Sequence, residues 1–160
     1  MKKLLLILLF FAAATVFADA QTKKFQGEFN LGHSLSLSPC INVQAIYGIR
    51  LSNHFFTGLG VGGDFFYTQE GMIALPVFLN AKSYLSTRKK SVPYFSLDLG
   101  YGFGVSESMS GLGEIMWSPA FGWRGQYLSF QIGYLNQRIL DEDGYYMPFN
   151  GLQIKLGFNF

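Results

Sequence analysis

Beyond the first twenty residues, apolar and polar side chains alternate with a period of two. "INVQAIYGIRL" sets Ile41, Val43, Ala45, Tyr47, Ile49 and Leu51 on one face and Asn42, Gln44, Ile46, Gly48 and Arg50 on the other. That pattern is a β-strand whose two faces meet different surroundings. The alternation predicts eight strands, at residues 23–33, 40–51, 55–67, 73–85, 92–105, 114–124, 127–137 and 147–160. No helical period of any length competes with it. Strands of about 11 residues are long enough to cross a bilayer when tilted.

Alternate connections differ in length. Those after the second, fourth and sixth strands are short ("SNH", "TRKKS", "GQ"), whereas "SESMSGLG" and "RILDEDGYY" after the fifth and seventh are longer. The expected architecture is therefore all-β: an eight-stranded antiparallel up-and-down transmembrane β-barrel, with short turns and both termini at one end.

One face carries Leu59, Val61, Phe65, Leu75, Val77, Leu79, Phe95, Leu97, Leu99, Trp117, Phe121, Trp123, Leu128, Ile132 and Leu156, with no charge among them. That face is expected to meet lipid. The other face carries Glu28, Arg50, Asp64, Lys82, Asp98, Arg124 and Lys155 among Gly, Ser, Asn and Gln. Pointing into a narrow lumen, these charges are expected to pair, because a buried unpaired charge is costly. Tyr47, Trp117, Trp123, Tyr134, Tyr145 and Tyr146 are assigned to aromatic girdles at the strand ends. Pro76 and Pro119 fall inside strands, where each removes a ladder donor, so bulges or strand ends are expected there.

"TGLGVGGDFFY" contains Gly58, Gly60 and Gly63 at the GxGxxG spacing of a dinucleotide-binding turn. That turn needs a following helix and a later acidic residue. Instead "DFFY" continues the alternation. Gly58, Gly60 and Gly62, like Gly100, Gly102 and Gly104, fall on the lumen face, where they make room for Phe66, Tyr84, Tyr94 or Tyr127 from other strands. An eight-stranded barrel has only enough interior for side chains.

Composition fits this reading. Charged residues make up 14% of the chain, against about 25% in ordinary globular domains, too few to coat a soluble domain. The opening "MKKLLLILLFFAAATVFADA" reads as a secretory signal peptide over residues 1–20, with cleavage at Ala18-Asp19-Ala20 before Gln21 and a barrel over 21–160. Removing Lys2, Lys3 and Asp19 leaves 10 basic and 9 acidic residues, which gives no basis for nucleic-acid binding. Cys40, the one cysteine, is read as a minor loop residue.

Two patterns resemble catalytic or metal motifs. "LGHSLS" has Gly32 and Ser34 of a nucleophile elbow but Ser36 in place of its second glycine, and the two histidines, His33 and His54, fall at opposite barrel ends. Asp141-Glu142-Asp143-Gly144 lacks the spaced ligands of a calcium loop. Neither is assigned, so the expectation is no enzyme activity, no cofactor and no metal.

The last strand, "LQIKLGFNF", resembles the β-signal of bacterial outer-membrane proteins in Leu152, Ile154, Leu156, Phe158 and Phe160. The segments "IRLSNHFFTGLGVGGDFFY" and "LPVFLNAKSYLSTRKKSVPYFSLDLGYGFG" resemble the small outer-membrane barrels of Bacteroidota, related in architecture to OmpX and the OmpA barrel. The resemblance implies integral residence in the outer membrane, contact with its lipid and lipopolysaccharide, and delivery by the barrel assembly machinery. The role implied is structural or interactive, through short surface loops around a filled lumen. The alternatives are a secreted lipocalin-like binder and a lipid A-modifying barrel enzyme.

Overall fold

In the computed structural model, which describes residues 24–36, 38–67, 72–86, 91–105, 109–113, 115–141 and 146–160, every regular element is a strand. In chain order these are β1 (Lys24–Ser36), β2 (Cys40–Arg50), β3 (Phe55–Phe66), β4 (Ile73–Tyr84), β5 (Val92–Gly104), β6 (Met109–Gly113), β7 (Ile115–Arg124), β8 (Leu128–Asp141) and β9 (Tyr146–Asn159). Each long strand pairs antiparallel with the next, and β9 pairs with β1, so the sheet closes on itself. The short β6 pairs with β8 beyond the end of β7 and continues its lane. Nine segments therefore make eight staves.

Closure removes every free sheet edge, and the register fixes the barrel's dimensions. Perpendicular to the strands, the pairing runs Lys24, Arg50, Phe56, Lys82, Ser96, Ala120, Gly133, Gln153 and back to Ser34 on β1. It returns ten residues further along β1 than it began. A stagger of ten residues at about 3.4 Å each, against eight spacings of about 4.8 Å, tilts the strands by about 41° and gives a backbone radius of about 8 Å. Only side chains fit inside a tube of that width.

Three sequence expectations are corrected here. The segments "SESMSGLG" and "RILDEDGYY", expected as loops, are largely strand: β6 takes up Met109–Gly113, β8 runs to Asp141 and β9 begins at Tyr146. In the first, the alternation is broken by register shifts, between Met109 and Gly113 and again before Trp117, which hid the strand period; in the second, β8 and β9 pair without a shift as far as Leu140 and Tyr146.

The prolines produce neither bulges nor strand ends. Pro76 pairs in register with Gly102 of β5, while the β3–β4 ladder lapses opposite Gly62 and Gly63 and resumes at Asp64–Ala74 in the same register. Pro119 pairs with Leu97, and the β7–β8 ladder skips from Trp117–Asn136 to Ala120–Gly133 without a shift. Each proline turns its missing donor toward one neighbour, and the stave stays straight because the other ladder holds it.

Cys40 is a strand residue, not a loop residue. It opens β2 and is 1% exposed. With Phe66, Met72, Ala74 and Phe149 it forms an apolar cluster inside the barrel, at the end away from the turns 51–54, 85–91 and 125–127. We call this the loop end and the opposite one the turn end.

Candidate functional site in the barrel lumen

Parity along each strand decides what faces inward. On β1, Gln26, Glu28, Asn30 and Ser34 are buried while Phe29, Leu31 and Leu35 are exposed; on β9, Gln153, Lys155 and Asn159 are buried while Leu152, Leu156 and Phe158 are exposed. Apolar side chains therefore cover the wall and polar ones fill the core, the inverse of a water-soluble protein. Of the described side chains that are exposed, one is charged, Arg138 near the loop end of β8.

The buried charges sit at distinct levels. Near the turn end Lys82 donates to Glu28, with its ammonium 5.2 Å from the Tyr94 ring centroid and 6.0 Å from that of Phe56. Midway, Lys155 Nζ donates to Asp98 Oδ2 at 3.2 Å, and Asn80 Nδ2 donates to the other carboxylate oxygen. Toward the loop end Asn42 Nδ2 donates to Asp64 Oδ1 at 2.6 Å, Gln153 Nε2 donates to Asn42 Oδ1 at 2.9 Å, and Ser118 Oγ donates to Gln153 at 3.3 Å. At the turn-end mouth Arg124 Nη1 donates to the Tyr84 hydroxyl at 2.8 Å, and the Arg50 guanidinium carbon lies 4.7 Å from the centroid of the same ring.

General pairing of the seven lumen charges is thus corrected. Glu28 and Asp98 each have a lysine; Asp64 has an amide; Arg50 and Arg124 share a tyrosine. The mouth is where guanidinium groups retain contact with water, and there a ring face and hydroxyl can replace a carboxylate.

The chain matches no protein-family model and no curated protein sequence. Among solved structures it is similar to Neisserial surface protein A, at 12% identity and a TM-score of 0.63, covering 87% of this chain and 98% of that one. It is also similar to the N-terminal β-barrel domain of Pseudomonas aeruginosa OprF, at 14% identity and a TM-score of 0.56, covering 87% of this chain and all of the other. The shared feature is the fold.

Within that fold the lumen glycines have specific partners. A methyl group at Gly60 would lie 2.3 Å from the Phe78 ring, and one at Gly102 would lie 2.3 Å from Gln137 Nε2. At both positions a large side chain from another stave occupies the space a methyl group would take. The partners differ from those expected. Phe78 and Gln137 fill the room, Phe66 belongs to the loop-end cluster, Tyr84 and Tyr94 pack near the turn end, and Tyr127 is 58% exposed. Gly58 and Gly104 are buried, and Gly62 and Gly100 are half-buried.

The β-signal residues Leu152, Ile154, Leu156 and Phe158 point outward from β9. Phe160 follows the strand, exchanges two backbone hydrogen bonds with Gly27 and lays its ring over that glycine. Tyr47, Trp117, Trp123 and Tyr134 are exposed on the wall, with Trp117 against Tyr134 at 6.0 Å. The side chains of Tyr145 and Tyr146, the cleavage residues Ala18, Ala20 and Gln21, and residues 142–144 of the acidic loop lie outside what is described.

Ser34 is buried in the lumen, whereas its neighbour His33 faces outward and meets the Tyr67 hydroxyl at 2.6 Å. Adjacent residues of one strand cannot meet across it, so the "LGHSLS" segment builds no Ser–His pair. Among the described residues no group of three His, Cys, Asp or Glu is placed to hold a metal. The amides Asn42, Asn80, Gln131 and Gln153 are the components the charge pattern missed. Their lumen parity was readable, but their partners on distant staves were not.

Proposed function

We propose that the chain is a non-enzymatic integral barrel of the bacterial outer membrane, with a structural or interaction role at the cell envelope. The observation that carries this reading is the inverted distribution of polarity. Leu59, Leu79, Leu128 and Leu156 are each more than half exposed, and no wall position below the Arg138 level adds a described charge. An apolar surface this continuous is not stable in water. Strands of 12 residues such as β3 and β4, tilted by about 41°, rise about 31 Å, enough to carry the roughly 25 Å apolar band of an outer-membrane barrel.

A filled lumen supports a wall-like or loop-presenting role over a pore. The partners proposed are outer-membrane lipid and lipopolysaccharide along the wall, and the barrel assembly machinery reading Leu152, Ile154, Leu156, Phe158 and Phe160 during biogenesis. Cleavage after Ala20 belongs to the same proposal. The test is heat modifiability of the outer-membrane fraction, run on a denaturing gel with and without boiling. A mobility shift, with no protein in the soluble periplasm, is the expected result. A soluble protein without a shift overturns the reading.

A further inference from the structure

The turn-end mouth differs from the rest of the lumen in one respect: among the described residues no acid contacts its cations. Lys82 and Lys155 each face a carboxylate. Arg50 and Arg124 instead flank one buried ring, that of Tyr84, with guanidinium carbons 4.7 and 5.7 Å from its centroid. Their hydrogen bonds go to the Asn53 carbonyl (3.1 Å) and the Tyr84 hydroxyl (2.8 Å), and Arg50 Nε is buried with no hydrogen-bond partner among the described residues.

No described carboxylate makes an ion pair or hydrogen bond with either guanidinium: Glu28, on the adjacent level and within electrostatic reach of Arg124, bonds Lys82, and Asp98 and Asp64 lie successively further toward the loop end. The connections at this end, residues 51–54, 85–91 and 125–127, contain no Asp or Glu in their sequence. Two like charges gathered around one ring at an open mouth favour the approach of an anion.

We propose that this mouth is an anion site that takes a phosphate group between Arg50 and Arg124, above the Tyr84 ring. Both arginines are half-exposed, so the site opens to solvent at the turn end. A guanidinium presents a planar fork of donors, and two forks converging from different staves call for an anion with oxygens in more than one plane. A tetrahedral phosphate meets this and a single carboxylate does not. The unpaired Arg50 Nε is the donor such an oxygen would satisfy. The phosphate comes from either a free ion or a lipid headgroup of the inner leaflet; the second source alone rests on the membrane reading above.

The test uses the chain from Gln21 refolded in neutral maltoside micelles, titrated with inorganic phosphate at ionic strength held constant with sodium chloride. The side-chain Nε–H resonances of Arg50 and Arg124, and the backbone amide of Tyr84 that every variant retains, are followed by NMR. Saturable shifts of all three are expected, with affinity, read at the Tyr84 amide, at least tenfold weaker in Arg50→Gln/Arg124→Gln while the heat-modifiable fold persists. If that variant does not fold, Arg50→Lys/Arg124→Lys keeps the charge and loses the forks, and its affinity should also fall. Shifts that chloride reproduces, or wild-type affinity in a folded variant, overturn the proposal. In phosphatidylglycerol nanodiscs without added phosphate, resonances already at their saturated positions support the lipid source; an undiminished response to added phosphate supports the free ion.

Discussion

Replacing Glu28 by leucine removes the carboxylate that Lys82 faces inside the barrel. Both residues are 1% exposed, so the ammonium cannot recover water by a small movement. What remains to it are the faces of Tyr94 and Phe56, at 5.2 and 6.0 Å. Removing one partner of a buried pair costs about 3–5 kcal/mol. Ring faces return about 1–2 kcal/mol of that in a desolvated site. Glu28→Leu should therefore lower stability by about 1–4 kcal/mol, and Lys82→Met by about 3–5 kcal/mol through the stranded carboxylate. The double variant buries no charge at this level and fills the same space with methylenes. It should lie within about 1 kcal/mol of the parent, or above it, so the coupling between the two sites is at least about 2 kcal/mol. Urea unfolding in bilayers, followed by the heat-shifted gel band, measures all four corners of the cycle. Single variants that each cost under about 1 kcal/mol and add in the double would refute the account of the lumen as a desolvated ion-pair core.

Other expectations concern the wall, the glycines and the two barrel ends. Leu79→Arg, at a position 59% exposed on the wall, should cost about 2–4 kcal/mol in bilayers; an unchanged urea midpoint would count against lipid contact there. Gly60→Ala forces a methyl against the Phe78 ring, which is packed among Ile46, Phe56 and Tyr94, and should cost about 1–3 kcal/mol, largely restored by Phe78→Leu; failure of the second change to rescue would mean the clash lies elsewhere. Phe149→Ala removes the ring packed 4.3 Å from Phe66 above buried Cys40, so a water-soluble maleimide should label Cys40 at least tenfold faster; equal rates would show that the cluster does not seal the loop end. Deleting Phe160 removes its two hydrogen bonds to Gly27 and should reduce the folded, heat-modifiable fraction in membranes; normal levels would argue against the β-signal assignment.

The sequence by itself determined the elements and the faces. Period-two alternation needs no partner to be read, because successive side chains on an extended backbone point to opposite sides. Leu59, Val61, Leu97, Leu99, Leu152 and Leu156 outward, with Glu28, Asp64, Lys82 and Lys155 inward, followed from parity together with the scarcity of charge. Where the alternation was interrupted, around β6 and the start of β7, it misled, because the register slips within β6 and by one residue between β6 and β7, and a one-residue slip moves the parity and looks like a loop.

Only the closed sheet decided who meets whom. Glu28 and Lys82 are on β1 and β4, Asp98 and Lys155 on β5 and β9, and Asn42 and Gln153 on β2 and β9. Partners across the tube are set by the ten-residue stagger, a property of all eight staves together that no local window contains. The same closure made Phe78, on the neighbouring stave, the reason for Gly60. It also gathered Arg50 and Arg124 around Tyr84, while Glu28 and Asp98 were held by the lysines deeper inside and Asp64 by Asn42 toward the loop end.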